Sequence, residues 1–537
     1  MILKHATWLN DRYGVKKGEI ISLDFTNKPE FIWLWFGIWA LGATPAFINY
    51  NLVGERLIHC VVSATSTLVL FDAEIAGVLD DPATRSTLED SGRRRLVVFD
   101  SNMSKVVETW RADRPPDALR NTAKQPDAAI LIFTSGTTGM PKPAIMSWRK
   151  IHSGGSFCKR WLGTTKDDRF YTSMPLYHSS ATVLGLGQIL QAKCTFVLGH
   201  KFSATRTTAE LVTSGATIFQ YVGETCRYLL ASPPSPHDKA HKVRIAFGNG
   251  MRPDVWQAFK SRFNIPTVAE FYAATEGHSG MWNRQTGEFG VGAIGRNGAL
   301  TTGFLKTRTS IVKVDHITDE PWRHPETGFC EPVPVGDPGE LIWRLDPNDI
   351  DAEFGGYFNN AKATNAKIFR DVFAKGDAWF RTGDIVRFDK DGLWYFCDRI
   401  GDTFRWKSEN VSTAEVADVV GTHPDIQEVA VYGIELPAHE GRCGCAAIVL
   451  QPGASEEAVL GGLEAHVSSL PRYARPVFVR VCQALEKTGN NKIVKHSYKL
   501  AGVQGVSDVW WCPVTGDGYR RFGDKQWKEL VGGKHML

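Results

Sequence analysis

The chain has 537 residues, and its 62 Lys and Arg against 58 Asp and Glu leave a net charge of only +4. That length exceeds a single core and calls for a large domain plus a smaller one, while the near balance of charge suggests neither a nucleic-acid footprint nor a polyanionic partner and leaves membrane contact to be argued separately. Ten scattered cysteines, with no C-x-x-C pair and no secretory leader, exclude a disulfide framework and a cysteine metal site and fit reduced thiols in a cytosol-facing protein.

Short apolar runs at residues 20–25, 67–71, 96–99, 129–133, 194–198 and 243–247 alternate with helical patterns. The alternation predicts layered α/β architecture with mostly parallel sheets, whose ligands belong at the carboxyl ends of the strands. Residues 31–48 carry no charge and three tryptophans, near the lower limit for a bilayer crossing. Gly37, Gly42 and Pro45 divide this stretch, so it reads as a buried helix followed by a strand over 45–48.

Directly after the 129–133 strand stands Thr134-Ser135-Gly136-Thr137-Thr138-Gly139-Met140-Pro141-Lys142. Glycines let backbone N–H groups face an anion, and the hydroxyls and Lys142 add donors and positive charge without bulk, so the loop reads as a phosphate grip. The Walker spacing is absent, which makes it a different nucleotide loop. Tyr177-His178 follows Pro175-Leu176 further on, and Gly185, Gly187 and Gly250 sit among apolar residues, leaving room for a lipid chain.

Gly248-Asn249-Gly250 follows the 243–247 strand and occupies a second ligand-facing position. Tyr272-Ala273-Ala274-Thr275-Glu276-Gly277 follows the apolar residues 268–271 and offers three groups that a nucleotide uses. The Tyr272 ring can stack on a base, Thr275 can donate to an α-phosphate, and Glu276 can hold Mg²⁺ through hard oxygen ligation. Residues 290–295 fit the letters of the dinucleotide fingerprint, but no helix follows directly in Arg296-Asn297-Gly298, and the reading is rejected.

From about residue 311 to residue 401 the pattern becomes turn-rich and β-like. Within it Thr382-Gly383-Asp384 reads as a turn, and Asp398-Arg399 follows the strand-like 394–397. The Asp384 carboxylate and the Arg399 guanidinium can together grip two ribose hydroxyls. Beyond Asp398 a compact α+β pattern runs to about residue 499, followed by an aromatic and glycine-rich tail over 509–537. Cys443 and Cys445 lie in an alternating run and should face one side of a strand as small core residues.

Taken together, these segments resemble the acyl-adenylate-forming superfamily in order and approximate spacing. Arg227-Tyr228, the run from Val243 through Arg252, and Asp398-Arg399-Ile400-Gly401-Asp402-Thr403-Phe404-Arg405-Trp406 are similar to one branch, the fatty acid transport protein and very-long-chain acyl-CoA synthetase family. The resemblance covers nearly the whole chain. It implies an α/β fold: a large N-terminal adenylation domain of layered subdomains plus a β-rich unit, residues 1–398, and a smaller mobile α+β domain, residues 399–537.

It also implies a two-step reaction in which a carboxylate attacks the α-phosphate of ATP, releasing pyrophosphate, and coenzyme A then displaces AMP. The 134–142 loop would hold the β- and γ-phosphates, Mg²⁺ would neutralise the leaving pyrophosphate, and all four groups Lys142, Glu276, Asp384 and Arg399 would surround one ATP. The family's late lysine maps onto Lys492 in Thr488-Gly489-Asn490-Asn491-Lys492, although Asn490-Asn491 departs from the usual pair. His178 would orient the carboxylate at the pocket entrance, and it reads equally as a structural histidine. Ser408 stands where the family commonly has glycine near coenzyme A, and a hinge is implied near residues 398–402.

The expected substrate is a long or very long chain fatty acid, with a carrier-protein-loading enzyme and a non-catalytic lipid-uptake module as competing readings. Relative to the family the chain opens late, with Met1-Ile2-Leu3-Lys4 already in what resembles the first helix. The expected location is intracellular and cytosol-facing, peripheral on an endoplasmic reticulum, lipid droplet or peroxisomal membrane. The terminal His535-Met536-Leu537 is a poor peroxisomal address.

Overall fold

Continuous apolar runs, rather than alternating ones, mark strands covered on both faces, and two such sheets form the first part of the chain. In the computed structural model the described residues are 1–134, 140–315, 318–406, 409–437, 439, 441–487, 493–513 and 518–531. They divide into two units. One contains Met1–Met251, Ala258–Phe289 and Leu345–Phe369, and the other contains Arg252–Gln257, Gly290–Arg344 and Arg370–Leu537.

In the first unit, strands β1 (Ile20–Asp24), β2 (Thr44–Ile48), β3 (Leu68–Asp72), β4 (Arg95–Phe99), β5 (Ala128–Thr134) and β6 (Lys142–Ser147) form a sheet in the order β4-β3-β1-β2-β5-β6. All neighbours are parallel except β6, which turns back antiparallel on β5. A second sheet repeats the plan. Strands β7 (Arg169–Thr172), β8 (Thr195–Leu198), β9 (Ile218–Val222), β10 (Ile245–Asn249), β11 (Thr267–Ala273) and β12 (Gly280–Gln285) run in the order β12-β11-β10-β9-β7-β8, with only β12 antiparallel.

The uncharged stretch resolves into the helix Pro29–Ala40, started by a proline that needs no N–H partner in the first turn, and strand β2. Phe31 and Trp35 are buried against Phe47, with ring centroids 4.8 and 5.1 Å apart. Among the described residues no helix is long and apolar enough to cross a membrane.

Asp24 ends β1 in this core at 1% exposure, and neither carboxylate oxygen has a hydrogen-bond partner among the described residues. Burial, reinforced by the nearby Asp72 charge, pushes its carboxyl up to about 8. A raised folded-state value means that the stability it contributes is complete below the ordinary carboxylate range and is lost as the pH rises through about 8. Asp24→Asn should therefore flatten the pH dependence of thermal unfolding in that window. Asp24 contributes at most about 1.4 kcal/mol per pH unit to the wild-type slope there; an unchanged profile would remove Asp24 as one of its sources.

The second unit begins with a mostly antiparallel sheet. Strands β13 (Gly295–Arg296), β14 (Thr309–Val312), β17 (Pro338–Leu345), β19 (Ala378–Phe388) and β20 (Leu393–Arg399) run in the order β13-β20-β19-β17-β14, the small pair β15 (Val314–Asp315) and β16 (Glu320–Pro321) accompanies them, and the short β18 (Ile368–Arg370) stands where the chain passes from the first unit to the second. Residues 290–295 therefore lead into an antiparallel edge strand, with Gly295 opposite Trp394. The expected turn at 382–384 is instead the middle of the long β19. Gly383 adopts φ 78° there, so glycine lets the strand run on through what the sequence suggested was a chain reversal, and the register shift just beyond, between Ile385 and Val386, leaves Cys397 of β20 as the extra residue of a bulge.

A hairpin, β21 (Phe404–Trp406) with β22 (Glu409–Val411), precedes the last sheet. That sheet holds β23 (Ile426–Glu435), β24 (Arg442–Leu450), β25 (Phe478–Val481), β26 (Val509–Trp511) and β27 (Arg520–Arg521) in sequential order. Cys443 and Cys445 are both fully buried on β24 as expected. The aromatic segment after residue 509 is not an appended tail. Trp511 is 1% exposed in β26, and Phe522 packs on Phe478 and Trp511 at 5.0 and 5.5 Å, so these rings complete the core.

Candidate active site

Strand ends of the first unit carry most of the polar residues singled out from the sequence. Thr134 closes β5 opposite Lys142, which opens β6. Between them Ser135, Gly136, Thr137, Thr138 and Gly139 lie outside the described residues, as do Ser408, Lys492 and the terminal 535–537. Tyr272 and Ala273 end β11, Thr275 and Glu276 follow in the turn, and Gly248, Asn249 and Gly250 stand at the end of the adjacent β10.

The Glu276 side chain is only 13% exposed and is held from two sides. The Tyr357 hydroxyl donates to Oε1 at 2.9 Å, and Lys367 Nζ lies 3.6 Å from the same oxygen. Lys142 Nζ stands over the Tyr357 ring, 5.7 Å from its centroid. Burial first, then the Glu276 charge and hydrogen bond, push the Tyr357 phenol far above its ordinary value, so it remains a donor to the carboxylate. The segment carrying Tyr357 is fixed along β6: Ile145 N donates to Gly356 O at 3.0 Å and Phe358 N to Pro143 O at 2.8 Å.

Lys150, in the first turn of the helix Trp148–Leu162, supports the same glutamate from its backbone. Its Nζ donates to Glu276 O at 2.7 Å and to Ile145 O at 3.4 Å. Desolvation lowers the ammonium to about 8, with the Glu276 charge pulling the other way.

The His178 ring lies tilted against that of Tyr177, centroids 4.5 Å apart, and the neighbouring Ser179 Oγ lies 3.2 Å from Thr275 Oγ1, which brings the 178 segment beside the 275 turn. Gly187 does not widen a pocket, contrary to its expected role: a Cβ on Gly155 would lie 2.6 Å from the Gly187 carbonyl carbon, so the two glycines let two helices meet. At Gly248 a Cβ would fall 2.2 Å from Tyr221 O, and only glycine fits. Beneath that turn the fully buried Glu270 accepts from Tyr221 OH at 2.5 Å, from Met251 N at 3.1 Å and from Gly250 N.

In the second unit Asp384 and Arg399 face each other across the β19–β20 ladder, with Nε 3.4 Å from Oδ1. The adjoining Asp398 is buried and accepts from Thr413 N at 2.6 Å and from the Thr413 hydroxyl at the start of the helix Thr413–Gly421, which Ser412 caps. Asp402 takes Lys499 at 2.8 Å, and Lys495 donates to Thr413 Oγ1 at 2.7 Å. Among the described residues no three His, Cys, Asp or Glu side chains gather into a metal cluster.

Residues 1–344 match the family model of the AMP-binding enzyme, and residues 415–492 match its C-terminal domain. The chain belongs to the AMP-binding enzyme family. It is 40% identical over 527 residues to the very long-chain fatty acid transport protein of Saccharomyces cerevisiae, covering 95% of this chain and 78% of that protein. A protein of the same name from Cochliobolus heterostrophus is 40% identical over 533 residues, covering 98% of this chain and 82% of that one. Among solved structures, ATP-bound MatB from Rhodopseudomonas palustris shares the fold with a TM-score of 0.74 at 20% identity, over 93% of this chain and 92% of that chain.

Sequence reasoning missed Tyr357, Lys150 and Glu270. Tyr357 and Lys150 lie 81 and 126 residues from Glu276, so no local spacing links them to it. Glu270 had one available signal, a carboxylate inside an otherwise apolar strand run.

Proposed function

We propose that this AMP-binding enzyme is an AMP-forming acyl-CoA ligase for long or very long chain fatty acids. The observation that carries the reading is the meeting of Thr134, Lys142, Tyr357 and Glu276 at strand ends of one unit, where a cation, a hydroxyl and an anchored carboxylate can serve phosphate chemistry. The names of the transport-protein relatives support a fatty acid as the carboxylate.

In this reading a carboxylate oxygen attacks the α-phosphorus, the bond to the bridging oxygen breaks, and pyrophosphate leaves. The thiolate of coenzyme A then attacks the acyl carbonyl carbon and AMP departs. Lys142 and the 134–139 hydroxyls and amides would bind the terminal phosphates, Thr275 the α-phosphate, and Asp384 with Arg399 the ribose. Tyr272, Ala273 and the 248–250 turn would line the nucleoside, His178 would orient the acyl carboxylate, and Lys492 would screen the two anions as they meet.

Glu276 fits Mg²⁺, an ion that takes one or two protein carboxylates and completes its shell with phosphate oxygens and water. When bound, the ion would neutralise charge on the departing pyrophosphate. We propose a peripheral position on an intracellular membrane surface, as suits a lipophilic substrate.

Purified protein with Mg-ATP, coenzyme A and a panel of carboxylic acids should yield AMP and a thioester, with preference for long acyl chains. Absence of AMP with every acid would end the proposal. AMP formation without a thioester would instead favour transfer to a carrier protein.

Lys150→Met should fold yet raise the magnesium concentration for half-maximal adenylation by about tenfold, because outer groups that orient a ligand typically carry 10- to 100-fold effects. Lys150 has a depressed folded-state value, so its stability contribution is present above its ordinary range and is lost as the pH falls through about 8. The variant should lose that dependence. Unchanged magnesium affinity would leave Lys150 a purely structural residue.

A further inference from the structure

The helix Ala299–Leu305 buries none of its residues. A helix of seven residues has too few internal hydrogen bonds to be stable by itself and normally depends on a packed face. Here two of the three bulky apolar side chains are turned outward: Leu300 is 92% exposed and Phe304 is 65% exposed, while Leu305 is partly buried. Spaced by four residues, they share one side of the helix.

Along this stretch of chain the charge has one sign. From residue 290 to residue 314 there is no aspartate or glutamate. Arg296, Lys306 and Arg308 are exposed on either side of the apolar pair, and the Arg308 guanidinium lies over the Phe304 ring, 5.3 Å from its centroid. Two apolar side chains rimmed by cations match a surface that offers hydrocarbon beneath anionic headgroups. A second copy of this chain fits poorly, since a symmetric contact would set Lys306 and Arg308 against themselves.

We propose that the helix Ala299–Leu305 docks the protein on an anionic lipid bilayer, with Leu300 and Phe304 entering the interface and Arg296, Lys306 and Arg308 meeting lipid phosphates or carboxylates. This deepens the peripheral position proposed above by naming its surface, and it involves no residue assigned to nucleotide or acyl binding.

The test is co-sedimentation of the full chain with vesicles of phosphatidylcholine alone and of phosphatidylcholine with phosphatidylserine. The wild type should bind the anionic vesicles, and high salt should weaken binding. Leu300→Ser with Phe304→Ser, and separately Lys306→Glu with Arg308→Glu, should each reduce the partition coefficient at least about tenfold, a loss consistent with one or two interfacial groups. Thermal melting and adenylation of a short water-soluble acid should stay unchanged.

If the wild type binds neither vesicle, the peripheral position and this surface both fall. If it binds and both double variants bind equally well, only the surface falls. If the variants change the mass seen by light scattering while vesicle binding persists, the helix contacts a second copy and the proposal is overturned.

Discussion

Glu276→Gln is expected to lower acyl-adenylate formation by about two to three orders of magnitude, the range found when a preorganised electrostatic group is removed from a transition state. Glutamine keeps the volume of the side chain and an oxygen to accept from Tyr357, so the contact at 2.9 Å can persist. What disappears is the negative charge, which Lys367 faces at 3.6 Å and which the proposed magnesium ion would need. ATP–pyrophosphate exchange at several magnesium concentrations measures the loss. A rate within threefold of wild type, about 0.7 kcal/mol, would show that the carboxylate does not serve the first half-reaction.

Tyr357→Phe should give a smaller loss, because Glu276 keeps its charge and loses one hydrogen bond. If both variants fell equally, position rather than charge would be the property that matters. The two substitutions therefore separate metal ligation from simple packing of the 275–276 turn.

Glu270→Leu is expected to destabilise the first unit by about 3–9 kcal/mol, because three donors aimed at one buried carboxyl would be orphaned at about 1–3 kcal/mol each. Those donors are Tyr221 OH and the amides of Gly250 and Met251, so the loss falls directly on the 248–250 turn. Leucine also places branched hydrocarbon opposite Asn283 in the β11–β12 ladder. Chemical unfolding should show the change, and nucleotide affinity should drop with it.

Burial pushes Glu270 up to about 8, against the pull of its three donors. The sign follows from the raised value: its contribution to stability is complete below the ordinary carboxylate range and declines as the pH rises through about 8. Glu270→Gln should flatten that decline while preserving the turn. A variant whose stability declines with pH as the wild type's does would remove Glu270 as a source of the decline.

The alternation of apolar runs with helical segments was legible because a parallel sheet covered on both faces needs short continuous hydrophobic strands. The six predicted runs therefore lie within one or two residues of β1, β3, β4, β5, β8 and β10. Where the same chemistry serves two geometries, the sequence was ambiguous. Gly383-Asp384 has the composition of a turn, yet the strand β19 runs on through it with Gly383 at positive φ. The segment after residue 509 read as a tail because its strands are three and two residues long, too short for periodicity to register.

By itself, the sequence determined the layered α/β plan, the family and the chemical character of the 134–142 and 272–277 segments, since strand periodicity and motif spacing are local properties of the chain. Only the tertiary structure decided that Tyr357 and Lys367 would flank Glu276, that Lys150 would hold its peptide, and that Glu270 would anchor the 248–250 turn. Each of those contacts joins residues far apart along the chain or on different strands. Their pairing depends on how β6, β10 and β11 are positioned by the packed core, which no residue spacing encodes.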